Sequence, residues 1–226
     1  MMETLTLEDV KYDYRNKYQT VHALAGVSYE FQRGRFYAVV GKSGSGKTTL
    51  LSMLAGLDNP TSGDVMIGDI AVRGVDRDKY RLNHISVIYQ SLNLFPLLTA
   101  LENVMFPLEY KKMSRSKAKK IAVEKLLSVG IEESMHRRLP SMLSGGEQQR
   151  VAIARALANK TEVILADEPT GNLDTENSAK IVQLLKDLAK DEDICVIVVT
   201  HDTAVSEQAD IVLRISDGLI VSVEDN

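Results

Sequence analysis

The octapeptide Gly41-Lys42-Ser43-Gly44-Ser45-Gly46-Lys47-Thr48 constrains the fold more than any other stretch of this 226-residue chain. An apolar run, 35–40 (RFYAVV), precedes it, and a helical pattern, 48–56 (TTLLSMLAG), follows and stops at Gly56. Strand, glycine-rich loop and helix in this order form a phosphate cradle. The glycines let successive backbone N–H groups turn inward around an anion. The positive end of the helix beginning near Lys47 attracts the same anion. In such a cradle Lys47 reaches the β and γ phosphates of a nucleotide as a point charge, and the Thr48 hydroxyl ligates Mg²⁺.

The rest of the chain supplies an α/β setting for that loop. Residues 4–10 alternate polar and apolar and 21–31 contain a second strand, while 65–72 reads as another after the turn residues 59–63. Val163–Ala166 and Ile194–Thr200 are short and almost wholly apolar, as strands buried on both faces are. A helix, 177–190, lies between them, and 211–216 with 219–223 form a hairpin around Asp217-Gly218. From about Gln90 to Asn159 the pattern is helical, with 112–129 and 146–157 the clearest stretches. The picture is one α/β unit interrupted by a helical insertion.

Composition removes several classes. One cysteine, Cys195, excludes a disulfide scaffold and thiolate metal clusters. With 27 basic against 31 acidic residues the net charge is −4, a poor balance for coating nucleic acid, and none is expected as a partner. The apolar runs fall far short of the ~18 residues a membrane span needs. The start of the chain lacks the basic and apolar regions of a signal peptide. A cytosolic chain is expected, serving a membrane only through a partner that carries the spans.

Two further motifs carry chemistry. Val163–Ala166 runs into Asp167-Glu168. A strand-end Asp beside a phosphate loop holds the Mg²⁺ shell, which suits Asp167. Glu168 points the other way and could polarise the water that attacks the γ-phosphate. Acidic residues often end strands, so these two gain meaning only through the loop. The third motif is Leu143-Ser144-Gly145-Gly146-Glu147-Gln148-Gln149-Arg150, which opens a helix running through Leu157. Ser144 and Glu147 have the spacing of a capping box. Gly145 and Gly146 leave the backbone bare for close approach to an anion. A second phosphate-binding helix start, in a chain with one nucleotide site, invites a second subunit.

The tract LSGGEQQR resembles the signature motif of ATP-binding cassette (ABC) proteins, and the family's other motifs follow in order over almost the whole chain. The resemblance implies a P-loop NTPase (RecA-like) core with an antiparallel β subdomain and an inserted α-helical subdomain. Residues 1–90 and 160–226 would be the ATP-binding core and 91–159 the helical subdomain. It implies that Gly41–Thr48, Thr49, Gln90 and Asp167 bind ATP. Thr48, Gln90 and Asp167 would hold Mg²⁺, and Glu168, His201 and Gln90 would serve catalysis. Gly171-Asn172-Leu173-Asp174 looks like the D-loop, and His201 like the switch histidine at the γ-phosphate. Tyr14 looks like the aromatic that stacks on adenine, with Tyr12 and Tyr18 as competitors. Leu143, Ser144, Gly145, Gly146, Glu147 and Gln148 would serve the second ATP site of a homodimer, in trans.

The tract 89–104 (YQSLNLFPLLTALENV) and G-N-L-D are similar to the subfamily of macrolide exporters (MacB-like) and lipoprotein-release ATPases (LolD-like). That implies a peripheral subunit on the cytoplasmic face of the membrane. Its partner would be an integral-membrane permease with a large extracytoplasmic domain, which 92–97 would help dock. The subfamily also contains the ATPases of antimicrobial-peptide resistance pumps and a cell-division ATPase (FtsE-like), which drives a cell-wall enzyme instead of exporting anything. A soluble ABC ATPase that moves no solute, or an importer subunit, fits the motifs less well. No regulatory C-terminal domain and no fused membrane domain are expected. Cys195 reads as a buried strand residue, His22, His84 and His136 as structural, and the basic run 111–120 as a solvated helix face.

Overall fold

Residues 4–226 are described by the computed structural model, and among them the chain forms two sheets. In chain order the elements are β1 (Leu5–Arg15), β2 (Thr20–Phe31), β3 (Phe36–Val40), α1 (Lys47–Leu54), β4 (Ser62–Ile67), β5 (Ile70–Ala71), α2 (Arg77–Asn83) and β6 (Ile85–Ile88). The helices α3 (Ala100–Tyr110), α4 (Arg115–Ser128) and α5 (Gly145–Ala158) come next. Then follow β7 (Val163–Asp167), α6 (Thr175–Asp191), β8 (Cys195–Thr200), α7 (Thr203–Ser206), β9 (Ile211–Ser216) and β10 (Leu219–Asp225).

The larger sheet has the order β10-β9-β3-β8-β7-β6, parallel from β9 to β6, with β10 antiparallel at the edge. The smaller sheet, β2-β1-β4-β5, is antiparallel. The apolar runs are continuous because both faces of the parallel sheet are covered. On β7, Ile164 and Ala166 join the core made with α3 to α6, whereas Val163 and Leu165 join the core made with α1 and the antiparallel sheet. The same alternation splits β3 into Phe36, Ala38 and Val40 on one side and Tyr37 and Val39 on the other. Cys195 is buried, as expected, and burial pushes its thiol up.

This topology places the site. Val40 pairs with Thr200 and Asp167 with Val199, so β3, β8 and β7 end side by side. The crevice outside the carboxyl ends of parallel strands is where such sheets bind ligands. The loop after β3, the carboxylates Asp167 and Glu168 at the end of β7 and His201 after β8 all open into it.

Several local readings shift. The strand at 65–72 is two short strands separated by a turn at Gly68, followed by a 3-10 turn at 72–74. The helix at 112–129 begins only at Arg115, because Lys112 adopts φ +60°. Arg115, Lys117, Lys119 and Lys120 are exposed, as a solvated face requires, whereas Lys125 near the helix end is largely covered. The final hairpin turns at Asp217 and Gly218, both with positive φ as a tight two-residue turn demands. His136 is buried and bonds the Ile131 carbonyl, His22 meets Asp13, and His84 lies 3.4 Å from Glu162. No helix of the described residues is long and apolar enough to cross a membrane.

Candidate active site

The phosphate loop borders a cavity of about 700 Å³. Gly41 to Thr49 form one wall, apart from Ser45, which is buried beneath. Gln90, Asp167, Glu168 and His201 complete the inner wall, and Tyr14 stands at the rim. Gly46 is required here twice over. Its φ is +105°, and a Cβ would come within 2.4 Å of the Ala23 carbonyl oxygen. α1 starts at the next residue with no side-chain cap and no acid in its first turn. Its first N–H groups therefore face the loop without a side-chain acceptor, leaving the positive helix end to an anion. The Lys47 ammonium donates to the carbonyls of Gly41 and Lys42 at 2.8 and 3.0 Å, which holds it over the loop.

The two carboxylates differ in setting. Burial chiefly, and the neighbouring Glu168 charge next, push the Asp167 carboxyl above the ordinary range, while Lys47 opposes the shift. Glu168 has φ +45°, a left-handed conformation that residues with a side chain rarely adopt. Its N–H donates to the Val199 carbonyl, and its carboxylate accepts from Thr200 Oγ1 at 2.8 Å and His201 Nδ1 at 2.6 Å. Thr48, Gln90 and Asp167, the oxygen donors proposed for Mg²⁺, line the same cavity. Among the described residues no cluster of three His, Cys, Asp or Glu could hold a metal alone. One carboxylate with a hydroxyl and an amide suits Mg²⁺, which keeps waters and takes its other oxygens from phosphate.

Of the three tyrosines, Tyr14 lines the cavity and its hydroxyl lies 3.3 Å from Thr49 Oγ1. Tyr12 spends its hydroxyl on Asp58, and Tyr18 is 89% exposed and away from the cavity wall. Gln90 lies against the D-loop, where a Cβ on Gly171 would sit 3.2 Å from its amide nitrogen.

None of Leu143 to Gln148 lines the phosphate-loop cavity. Ser144 caps α5 with the expected box: its hydroxyl accepts from the Glu147 N–H at 3.3 Å, and its own N–H donates to Glu147. These bonds hold the Glu147 carboxyl below the ordinary range. Ser144 and Gly145 are exposed, but Leu143 is in the core and Gly146 is buried. A Cβ on Gly146 would meet Asn177 Oδ1 at 3.0 Å, so this glycine lets α5 pack against α6. Gly145 and Gln148 border a separate, smaller cavity of about 210 Å³ together with Gln90, Glu168, Asn172 and Leu173. Asp174 caps α6 through the Asn177 N–H.

Two residues that motif reading passed over also hold the site. Arg155 of α5 donates to the carbonyls of Leu92 and Asn93, both at positive φ, tying the loop after Gln90 to the helix that Ser144 opens. Thr200 bonds Glu168. The available signals were a cation in an otherwise alanine-rich helix turn and a polar residue ending an all-apolar strand.

The model of the ABC transporter family matches residues 24–171. The chain belongs to this family. As an ABC cassette it is an ATPase, the ATP-binding subunit of a transporter. It is 45% identical over 203 residues to the lipoprotein-releasing system ATP-binding protein LolD of Syntrophotalea carbinolica, covering 88% of this chain and 89% of that one. It is 42% identical to the macrolide export ATP-binding/permease protein MacB of Rhodopirellula baltica over 96% of this chain, which spans 32% of that protein. A dimeric structure of the cassette MJ0796, whose sequence is from Methanocaldococcus jannaschii, matches with a TM-score of 0.89 at 41% identity, over 98% of each chain. A second dimeric structure of that cassette, in a post-hydrolysis state bound to ADP and Pi, matches equally well.

Proposed function

We propose that this ABC ATPase powers a membrane transporter of the macrolide-export or lipoprotein-release type, by ATP-driven closure of a homodimer on the cytoplasmic face of the membrane. The observation that carries the reading is the division of its parts. The loop, Gln90, Asp167, Glu168 and His201 share one cavity, whereas exposed Ser144 and Gly145 lie outside it. A second copy, head to tail, would lay its Ser144, Gly145 and Gly146 over the γ-phosphate held by the first.

In this reading Lys47 exchanges the carbonyls of Gly41 and Lys42 for the β and γ phosphates. Tyr14 stacks on the adenine. Glu168 takes a proton from the attacking water as the bond to the γ-phosphorus forms and ADP leaves. His201 and Gln90 orient the γ-phosphate and that water. Mg²⁺, held by Thr48, Gln90 and Asp167, would supply positive charge to the phosphate oxygens. Loss of the γ-phosphate removes the bridge between the copies, and the dimer opens.

The permease would dock where Leu92–Leu97 leaves exposed apolar side chains. Phe95 and Phe106 meet with ring centroids 4.4 Å apart, and Leu97 is 87% exposed. Charge does not argue for a nucleic-acid partner, since the chain is net −4. The test is a tagged pull-down from detergent-solubilised native membranes, with co-purifying proteins identified by mass spectrometry. A permease with a large extracytoplasmic domain is expected. Reproducible recovery of soluble proteins or ribosomes alone would overturn the transporter reading.

A further inference from the structure

Thr200 ends β8, a strand otherwise made of Cys195, Val196, Ile197, Val198 and Val199, and it is fully buried. Its Oγ1 accepts from the Asp202 N–H at 3.0 Å. That bond closes a turn straddling His201, of the kind Ser and Thr hydroxyls make with their own backbone two residues on. The hydroxyl has one hydrogen, which points to Glu168 Oε2 at 2.8 Å. The other carboxylate oxygen, Oε1, receives His201 Nδ1 at 2.6 Å. Both oxygens of Glu168 are thus held from one turn, and one hydroxyl links the carboxylate to the backbone that presents the imidazole.

We propose that Thr200 is a positioning residue for ATP hydrolysis, setting the Glu168 carboxylate and the His201 turn together through its single hydroxyl. The inference rests on the reading of Glu168 as the group that polarises water. Glu168 follows β7 with φ +45°, so its backbone turns away from the strand direction, and its side chain is aimed by its own bonds. Removing one of the two donors frees the carboxylate to rotate about its side-chain torsions. A misplaced reacting group costs on the order of 10²-fold in rate. A buried threonine that merely satisfied its hydroxyl would make no difference to turnover once the protein was folded.

The test uses the full chain with Thr200→Val, Thr200→Ser and Glu168→Gln, measuring kcat, KM for MgATP and the affinity for a fluorescent ATP analogue. Valine keeps the shape and removes the hydroxyl. It is expected to lower kcat about 10- to 100-fold, with analogue affinity within about twofold of wild type. Serine restores the hydroxyl and should stay within about threefold of wild-type kcat. In single-turnover hydrolysis, valine should add no further loss in the Glu168→Gln background, because its effect runs through that carboxylate. Should the valine variant fail to melt cooperatively, Thr200→Cys replaces it, with a thiol as a poor donor, and must show the same kcat loss. Wild-type kcat for valine beside an inactive Glu168→Gln would overturn the Thr200 inference alone, as would equal losses for valine and serine. Wild-type turnover by Glu168→Gln itself would instead overturn the reading of Glu168, and the Thr200 inference with it.

Discussion

His201 Nδ1 lies 2.6 Å from Glu168 Oε1, pairing the residue after β8 with the residue after β7. The pair is asymmetric, because the imidazole side chain is 75% exposed and the carboxylate only 16%. The ring is free to swing toward a γ-phosphate at little packing cost, while the carboxylate stays beside Thr200. His201→Ala should lower kcat by about 10²-fold or more, the usual scale for a group that manages protons or orients the reacting atoms. ATP affinity should stay near wild type, since the phosphate loop is untouched. Steady-state hydrolysis with equilibrium nucleotide binding checks both, and an unchanged kcat would remove His201 from the chemistry.

Tyr14 and Tyr18 make a controlled pair. Only Tyr14 lines the phosphate-loop cavity. A base stacked on an aromatic ring is worth about 1–3 kcal/mol, so Tyr14→Ala should weaken ATP binding roughly 5- to 150-fold. Tyr18→Ala should leave it unchanged. Calorimetric titration with ATP separates them, and equal losses would mean that the ring does not select the base.

Asp167 predicts a pH effect on the nucleotide-free protein. Burial first, and Glu168 second, raise its carboxyl above the ordinary range. The folded state therefore keeps the proton to higher pH than the unfolded chain does. Stability is lost as pH rises from the ordinary carboxylate value, about 3.9, through the raised one. Asp167→Asn removes that penalty, so its melting temperature should exceed wild type at neutral pH. The difference should vanish below about pH 3, where the aspartate is protonated in both states. Its MgATP hydrolysis should nevertheless collapse. Melting curves across that range decide the point, and a lower melting temperature at neutral pH would contradict the assigned strain.

Ser144 tests the shared site from its other side. It is exposed, outside the cavity, and satisfied within its own chain by the capping box. Replacing it with a bulky cation, Ser144→Arg, loses a helix cap worth about 0.5–2 kcal/mol. Nucleotide binding by single chains should survive, and ATP-dependent pairing should not. Size-exclusion chromatography with light scattering measures it, and normal hydrolysis by Ser144→Arg would refute a site completed by the partner.

Motif and strand readings held where local chemistry and global packing agree. The apolar strands, the capping box at Ser144 and the Asp217-Gly218 hairpin appear as read, because each follows from spacing a few residues long. α2 left no such pattern. Only Tyr80 on it is buried, and it is held by the Asp76 cap and by its place before β6. α3 was masked by Pro107 inside the helix, although Thr99 and Glu102 at its start have the same capping-box spacing as Ser144 and Glu147. Gly146 was legible as a small residue but not as a contact, since Asn177, against which it packs, comes 31 residues later. The same holds for Thr200, whose partner Glu168 comes just after a neighbouring strand. Long-range pairing decides these roles, and pairing is what one chain read in order does not display.

The central claim is that ATP itself joins two copies of this chain. Glu168→Gln keeps the size and hydrogen-bonding shape of the side chain but lacks the carboxylate that takes the proton. Sedimentation equilibrium of this variant with and without MgATP is the direct measurement. The account predicts a monomer without nucleotide and a stable dimer holding two ATP molecules with it. A monomer that binds ATP stoichiometrically and never pairs would contradict it.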